Sequence, residues 1–229
     1  MNAICRNLGL VVGLLLVLMQ AGCLKDDATV ILPTPLDAIP SSILSAEQVD
    51  SLRSHMAINL GADPPLMVGQ FKASPMQLAY ASDRYYNVNI FDVFFECDSQ
   101  NCRNLISYRE WQSTARLRCV ESCINGTGDR FTVAGLAEMS DSTVGWRCTL
   151  ALIVSGRKVD GGITDLEYAT LMKQKEDPTD LLLDVNTFRI YRDGDGLVEA
   201  TSWTGEPPIA PASTLRHGMK EQQRRGGSR

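Results

Sequence analysis

Phe131-Thr132-Val133-Ala134-Gly135-Leu136-Ala137, then Val-Gly-Trp-Arg-Cys-Thr-Leu-Ala-Leu-Ile-Val at 144–154 and Ser155-Gly156, is the stretch that decides the fold. These are short apolar runs closed by turn residues, the pattern of strands rather than of long helices. Working outward, the same pattern recurs at 66–71, 77–81, 88–96, 105–111, 165–172, 187–191 and 197–203. Turn signals separate the runs: Asn125-Gly126, Ser155-Gly156, Asp160-Gly161-Gly162, Asp177-Pro178 and Asp193-Gly194-Asp195-Gly196. Many short strands with such turns predict a mainly β fold, an antiparallel sandwich or barrel. The absence of long helices between them argues against a parallel sheet. The absence of a fixed repeat period argues against a propeller or solenoid.

Upstream, Ser45-Ala46-Glu47-Gln48 has the form of a capping box. Val49, Leu52, Met56 and Leu60 follow at helical spacing, and Asn59 and Gly61 supply a stop. This predicts one N-terminal amphipathic helix. His55 falls beside its apolar stripe, where a packed or exposed side chain is expected rather than a ligand.

The first 22 residues read as a secretion leader. Arg6 gives a positive start, Leu8 to Met19 is uninterrupted apolar sequence, and Gln20-Ala21-Gly22 leads into Cys23. Twelve apolar residues are too few to cross roughly 30 Å of hydrocarbon. The segment resembles a bacterial lipoprotein signal, departing from it at Gln20, where the family usually has Leu. The resemblance implies acylation of Cys23, as by palmitate, and anchoring in the outer membrane of the cell envelope. Lys25-Asp26-Asp27 resembles the export signal of Bacteroidetes-type surface lipoproteins and implies exposure at the cell surface. The globular part carries no family resemblance. The domain plan is a signal peptide at 1–22, the lipidated Cys and a Pro-containing tether at 23–44, a β-rich domain at 45–205 and a flexible basic tail at 206–229.

Charge is unevenly placed. Residues 23–205 hold 16 Lys/Arg against 25 Asp/Glu, whereas 206–229 hold five basic residues against two acidic ones. An acidic body argues against nucleic acid as a partner, which needs cations facing phosphates. The tail, with Arg216, Lys220, Arg224, Arg225 and Arg229, reads as a solvated terminus.

Seven cysteines become five once Cys5 leaves with the leader and Cys23 is acylated. An oxidising compartment predicts disulfides among Cys97, Cys102, Cys119 and Cys123, with connectivity left open. A four-thiolate zinc site from the same residues is the alternative, without a nearby His to support it, so no metal is assigned. Cys148 lies in an apolar run and is expected to be a buried, inert thiol.

Catalytic signatures are sparse. His55 and His217 are the only histidines, and no nucleophile elbow, metalloprotease helix, P-loop or dinucleotide fingerprint is present. No catalytic residue and no cofactor is therefore assigned. Paired carboxylates remain the one enzymatic alternative, from Glu96, Glu110 and Glu167, although strand Glu residues are expected to face water. Asp193-Gly194-Asp195-Gly196 lacks the later EF-hand ligands, since Leu197 and Thr204 stand there. It reads as a hairpin turn, with a loose cation site as the alternative. Asn125-Gly126-Thr127 is a sequon that a bacterial leader leaves idle. Trp111 and Trp203 are the candidate ligand-binding aromatics, among Tyr85, Tyr86 and Trp146. The expected role is non-catalytic, structural or binding, with an envelope protein or a glycan as partner; a glycan binder or a hydrolase is the alternative.

Overall fold

A computed structural model describes residues 37–83, 91–112, 116–142 and 145–208. The leader, Cys23, the Lys25-Asp26-Asp27 signal, Tyr85, Tyr86, His217 and the tail beyond 208 lie outside the described residues. The described chain is mainly β, with ten strands in one sheet and one helix.

The helix, α1 (Ala46–Arg53), begins where the capping box places it. The Ser45 hydroxyl accepts from the Gln48 amide at 3.3 Å, and the Gln48 side chain accepts from the Ser45 amide at 3.0 Å. Glu47 lies in its first turn and Arg53 in its last, both complementing the helix dipole. It is shorter than its apolar stripe: Met56 is buried beyond its end.

The strands are β1 (Ala62–Asp63), β2 (Gly69–Ala81), β3 (Phe91–Gln100), β4 (Ile106–Trp111), β5 (Arg116–Thr127), β6 (Arg130–Asp141), β7 (Trp146–Val159), β8 (Gly162–Glu176), β9 (Phe188–Asp193) and β10 (Val198–Thr201). From β2 to β8 each strand pairs antiparallel with the next. Both β9 and β10 pair with β8 on one side and β2 on the other. β1 adds two residues parallel to β5.

Several expectations are corrected. The run at 77–81 and the last residues of the run at 66–71 belong to one strand, β2, with Pro75 at a register shift between Ala73 and Met76 where its missing N–H does not interrupt the ladder. β5 is a strand that the sequence pattern does not predict, lying between the runs at 105–111 and 131–137. Its turn falls after Thr127, which pairs with Arg130, so Asn125-Gly126 lies inside the strand. Ser155-Gly156 likewise lies within β7. Asp193-Gly194-Asp195-Gly196 is not a hairpin. β9 faces residues 76–81 of β2 and β10 faces 70–72 in the same direction, so the segment interrupts one strand position.

Alternation along the strands separates two cores. Phe71, Phe95, Tyr108, Phe131, Leu152 and Tyr168 gather on one face, hereafter the inner face. Ala151 and Ile153, on the opposite face of β7, join a second cluster with Ile43, Leu44, Leu52 and Phe188. Residues 37–61 run over that outer face. Gly61 donates to the Asp37 carbonyl at 3.2 Å, Ser42 to Glu121 at 2.7 Å, and the Asn59 amide to Thr132 at 2.7 Å. Ile43 and Leu44 are buried, so the last residues of the expected tether belong to the domain wall. Each such side chain contributes about 1.5–3 kcal/mol by burial.

Candidate functional site

The most unusual polar group in the domain is Glu110. β4 alternates Ile106, Tyr108 and Glu110 onto the inner face, and Glu110 is fully buried there. Its cross-strand neighbours are Phe95 of β3 and Leu117 of β5. Tyr108 donates to one carboxylate oxygen at 2.9 Å. Tyr168, from β8, donates to the other at 2.8 Å, and Gln112 donates to that same oxygen at 2.8 Å. Burial pushes the Glu110 carboxyl above the usual carboxylate range, while the three hydrogen bonds pull it back. Both phenols are in turn pushed well up, first by their own burial and then by the Glu110 charge. The expectation that Glu110 faces water is therefore wrong: a residue that caps a row of inward apolar neighbours shares their face.

The three candidate acids do not meet. Glu96 and Glu167 alternate onto the face opposite to Glu110. Glu96 accepts from Arg109 at 2.9 Å and from Gln70 at 2.9 Å. Glu167 pairs with Arg192 at 2.8 Å and accepts from the Ala57 amide at 2.6 Å. A hydrolytic pair needs two carboxyls on one substrate, and the sheet itself separates Glu110 from the other two.

Trp111 and Trp203 do come together. Their rings lie 5.9 Å apart edge to face, and Phe94 meets Trp203 at 5.8 Å in the same manner. The residues after β10 bring Trp203 there, its amide donating to Gln70 at 2.7 Å. The Arg109 guanidinium lies 5.7 Å from the Trp111 ring and the Lys72 ammonium 5.9 Å from Phe94. Trp111 is only 8% exposed, so the group packs as a small satellite core and does not offer a flat sugar-stacking face.

The expected disulfides are not formed: Cys97, Cys102, Cys119, Cys123 and Cys148 are all free. Cys97 and Cys119 point to the inner face from β3 and β5, with β4 between them, and Cys123 joins the outer cluster. Cys102 is exposed in the turn between β3 and β4. Strand geometry, which sequence spacing does not show, keeps the four apart and also fails to gather a zinc site. Burial pushes the Cys97 and Cys123 thiols up to about 12, and Cys148 up to about 11. Cys148 is buried, in keeping with its reading as an inert thiol.

At the interruption between β9 and β10, burial and then the neighbouring Asp195 carboxylate push the Asp193 carboxyl up to about 6. Among the described residues no three His, Cys, Asp or Glu side chains are grouped to hold a metal ion. A cleft of about 990 Å³ opens between the ends of β6, β7 and β8, but its basic side chains are engaged. Arg147 pairs with Glu176 at 3.2 Å, Lys175 with Asp184 at 3.1 Å, and Lys173 donates to Gln48 at 2.9 Å. No protein-family model, curated protein or solved structure matches the chain.

Proposed function

We propose that the protein is an acylated lipoprotein of the outer membrane, held by Cys23 and displayed at the cell surface through Lys25-Asp26-Asp27. Its β domain acts there without catalysis, as a structural or protein-binding module of the envelope. The sheet is read as a barrel, because the neighbours of β2 return to it through β9 and β10. The observation that carries the non-catalytic reading is the state of Glu110: the one fully buried acid among the described residues is spent on two tyrosines and a glutamine. A glycan-binding role through Trp111 and Trp203 is favoured by their contact and disfavoured by the burial of Trp111 and the Arg109 guanidinium over its ring.

Cys23→Ser is expected to release the protein from the membrane fraction and to abolish labelling by a radioactive fatty acid. A variant that stays in the membrane would refute the anchor. Replacing Lys25, Asp26 and Asp27 by Ala should leave labelling intact and reduce protease accessibility on whole cells.

A further inference from the structure

Six large apolar side chains are exposed among the described residues, and three of them share one end of the sheet. Leu66 is 67% exposed, Val68 46% and Leu105 39%. They are held together by polar contacts. Gln100, at the end of β3, donates to the Pro65 carbonyl at 3.1 Å and accepts from the Met67 amide at 2.9 Å. Asn101 donates its amide to the Leu105 carbonyl at 3.0 Å, and Asn104 donates to the Ala62 carbonyl at 3.0 Å. The two segments, 62–68 and 100–105, therefore lie side by side at this end, with Leu66, Val68 and Leu105 exposed among the polar Asp63, Asn101 and Arg103. Val120, Val185 and Leu197 lie elsewhere, on β5, between β8 and β9, and before β10. Single exposed apolar residues are ordinary; a group at one end is not.

The same end receives the chain from the anchor. Gly61 joins the Asp37 carbonyl to the end of β5, since its own carbonyl accepts from Gly126 at 3.0 Å. Asp37 stands fourteen residues after Cys23. Fourteen residues span at most about 50 Å fully extended. Such a tether keeps this end within reach of the bilayer surface. It also makes contact intramolecular, so that a small apolar group suffices where a free protein would need a larger one.

We propose that the end bearing Leu66, Val68 and Leu105 rests on the bilayer that holds the anchor, its apolar side chains seated at the interface. This rests on the lipid-anchor reading of Cys23. The opposite end, with Val185, is directed away from the membrane.

Cys102 supplies the probe, because it is the exposed cysteine and lies in the turn between Gln100 and Leu105. The acylated full chain, nitroxide-labelled at Cys102, is reconstituted in vesicles of equal parts phosphatidylcholine and phosphatidylglycerol. The control is labelled at Val185→Cys in a Cys102→Ser background. Flotation with the vesicles reports the anchor, and relaxation by oxygen against an aqueous nickel chelate reports depth. The Cys102 label should favour oxygen and the Val185→Cys label nickel. Leu66→Asp with Val68→Asp should return the Cys102 label to water while the chain still floats. Equal nickel access at both sites in a floating chain would overturn the docking and leave the anchor standing. A chain that fails to float would overturn the anchor and the docking with it.

Discussion

Tyr168→Phe removes a single oxygen, yet that oxygen donates to Glu110 at 2.8 Å and accepts from Gln112 at 3.3 Å. A hydrogen bond to an ionised group contributes about 1.5–3 kcal/mol and a neutral one about 0.5–1.5. The cost must therefore grow with pH. Burial raises the Glu110 carboxyl above its ordinary 4.5, so the folded protein binds this proton more tightly than the unfolded chain does. The stabilisation tied to that proton is complete below 4.5 and is lost as pH rises through the folded value. Tyr168→Phe removes a bond that favours the ionised form and so steepens the loss. We expect a cost of about 1 kcal/mol while Glu110 is protonated, rising toward about 3 kcal/mol once pH has passed its folded value, where the melting temperature falls by about 6–12 °C. Urea unfolding across a pH series, on the Cys23→Ser chain, measures it through the midpoint at constant slope. Tyr108→Phe should behave alike, and the double variant should cost less than the sum, because both phenols serve one carboxylate. A cost independent of pH, or additive phenols, would refute the account of a shared acid raised by burial.

Gly126→Ala should cost about 1–3 kcal/mol, since its φ is +152° and a Cβ there would strike the Arg130 carbonyl oxygen and come within 2.9 Å of the Phe131 Cα. Gly128→Ala, with nothing near its Cβ position, should cost less, and equal midpoints in urea would contradict the steric argument. Native mature protein should alkylate rapidly at one non-acylated thiol, Cys102, and at all five after unfolding. Mass mapping that finds a second fast thiol, or an intrachain disulfide, would contradict the inward placement described for Cys97 and Cys119 and the burial of Cys123 and Cys148.

What the sequence made legible was local. Ser45 and Gln48 announced the helix start, and Asp160-Gly161 announced the β7–β8 turn, because both signals act within four residues. β5 was hidden by its own irregularity: Leu117 and Cys119 alternate with Arg116 and Arg118, and then the register shift between Cys119 and Glu121 ends the period. The break between β9 and β10 resembled a hairpin because Asp and Gly mark any departure from a ladder, and only pairing with β2 tells a loop from an interruption. Glu110 was placed on the wrong side for want of its neighbours. Ile106 and Tyr108 precede it at period 2, and that spacing was the available signal. Trp111 and Trp203 could not be paired across 91 intervening positions without the sheet order. Nor could the separation of the cysteines be read before β4 was known to lie between β3 and β5.

The pairing of β2 with β9 and β10 also governs how the protein can fold. Residues 70–81 find partners at 189–201, so the first long strand waits for the last part of the chain before its ladder is complete. Closing so long a loop costs entropy before any contact returns it, and topologies of this kind fold slowly. A nascent chain ending before Phe188 would leave β2 and β8 with unpaired edges, which recruit other strands. If the chain is exported as proposed, this delay is an advantage, since a chain that cannot finish its sheet until its C-terminal residues arrive stays threadable.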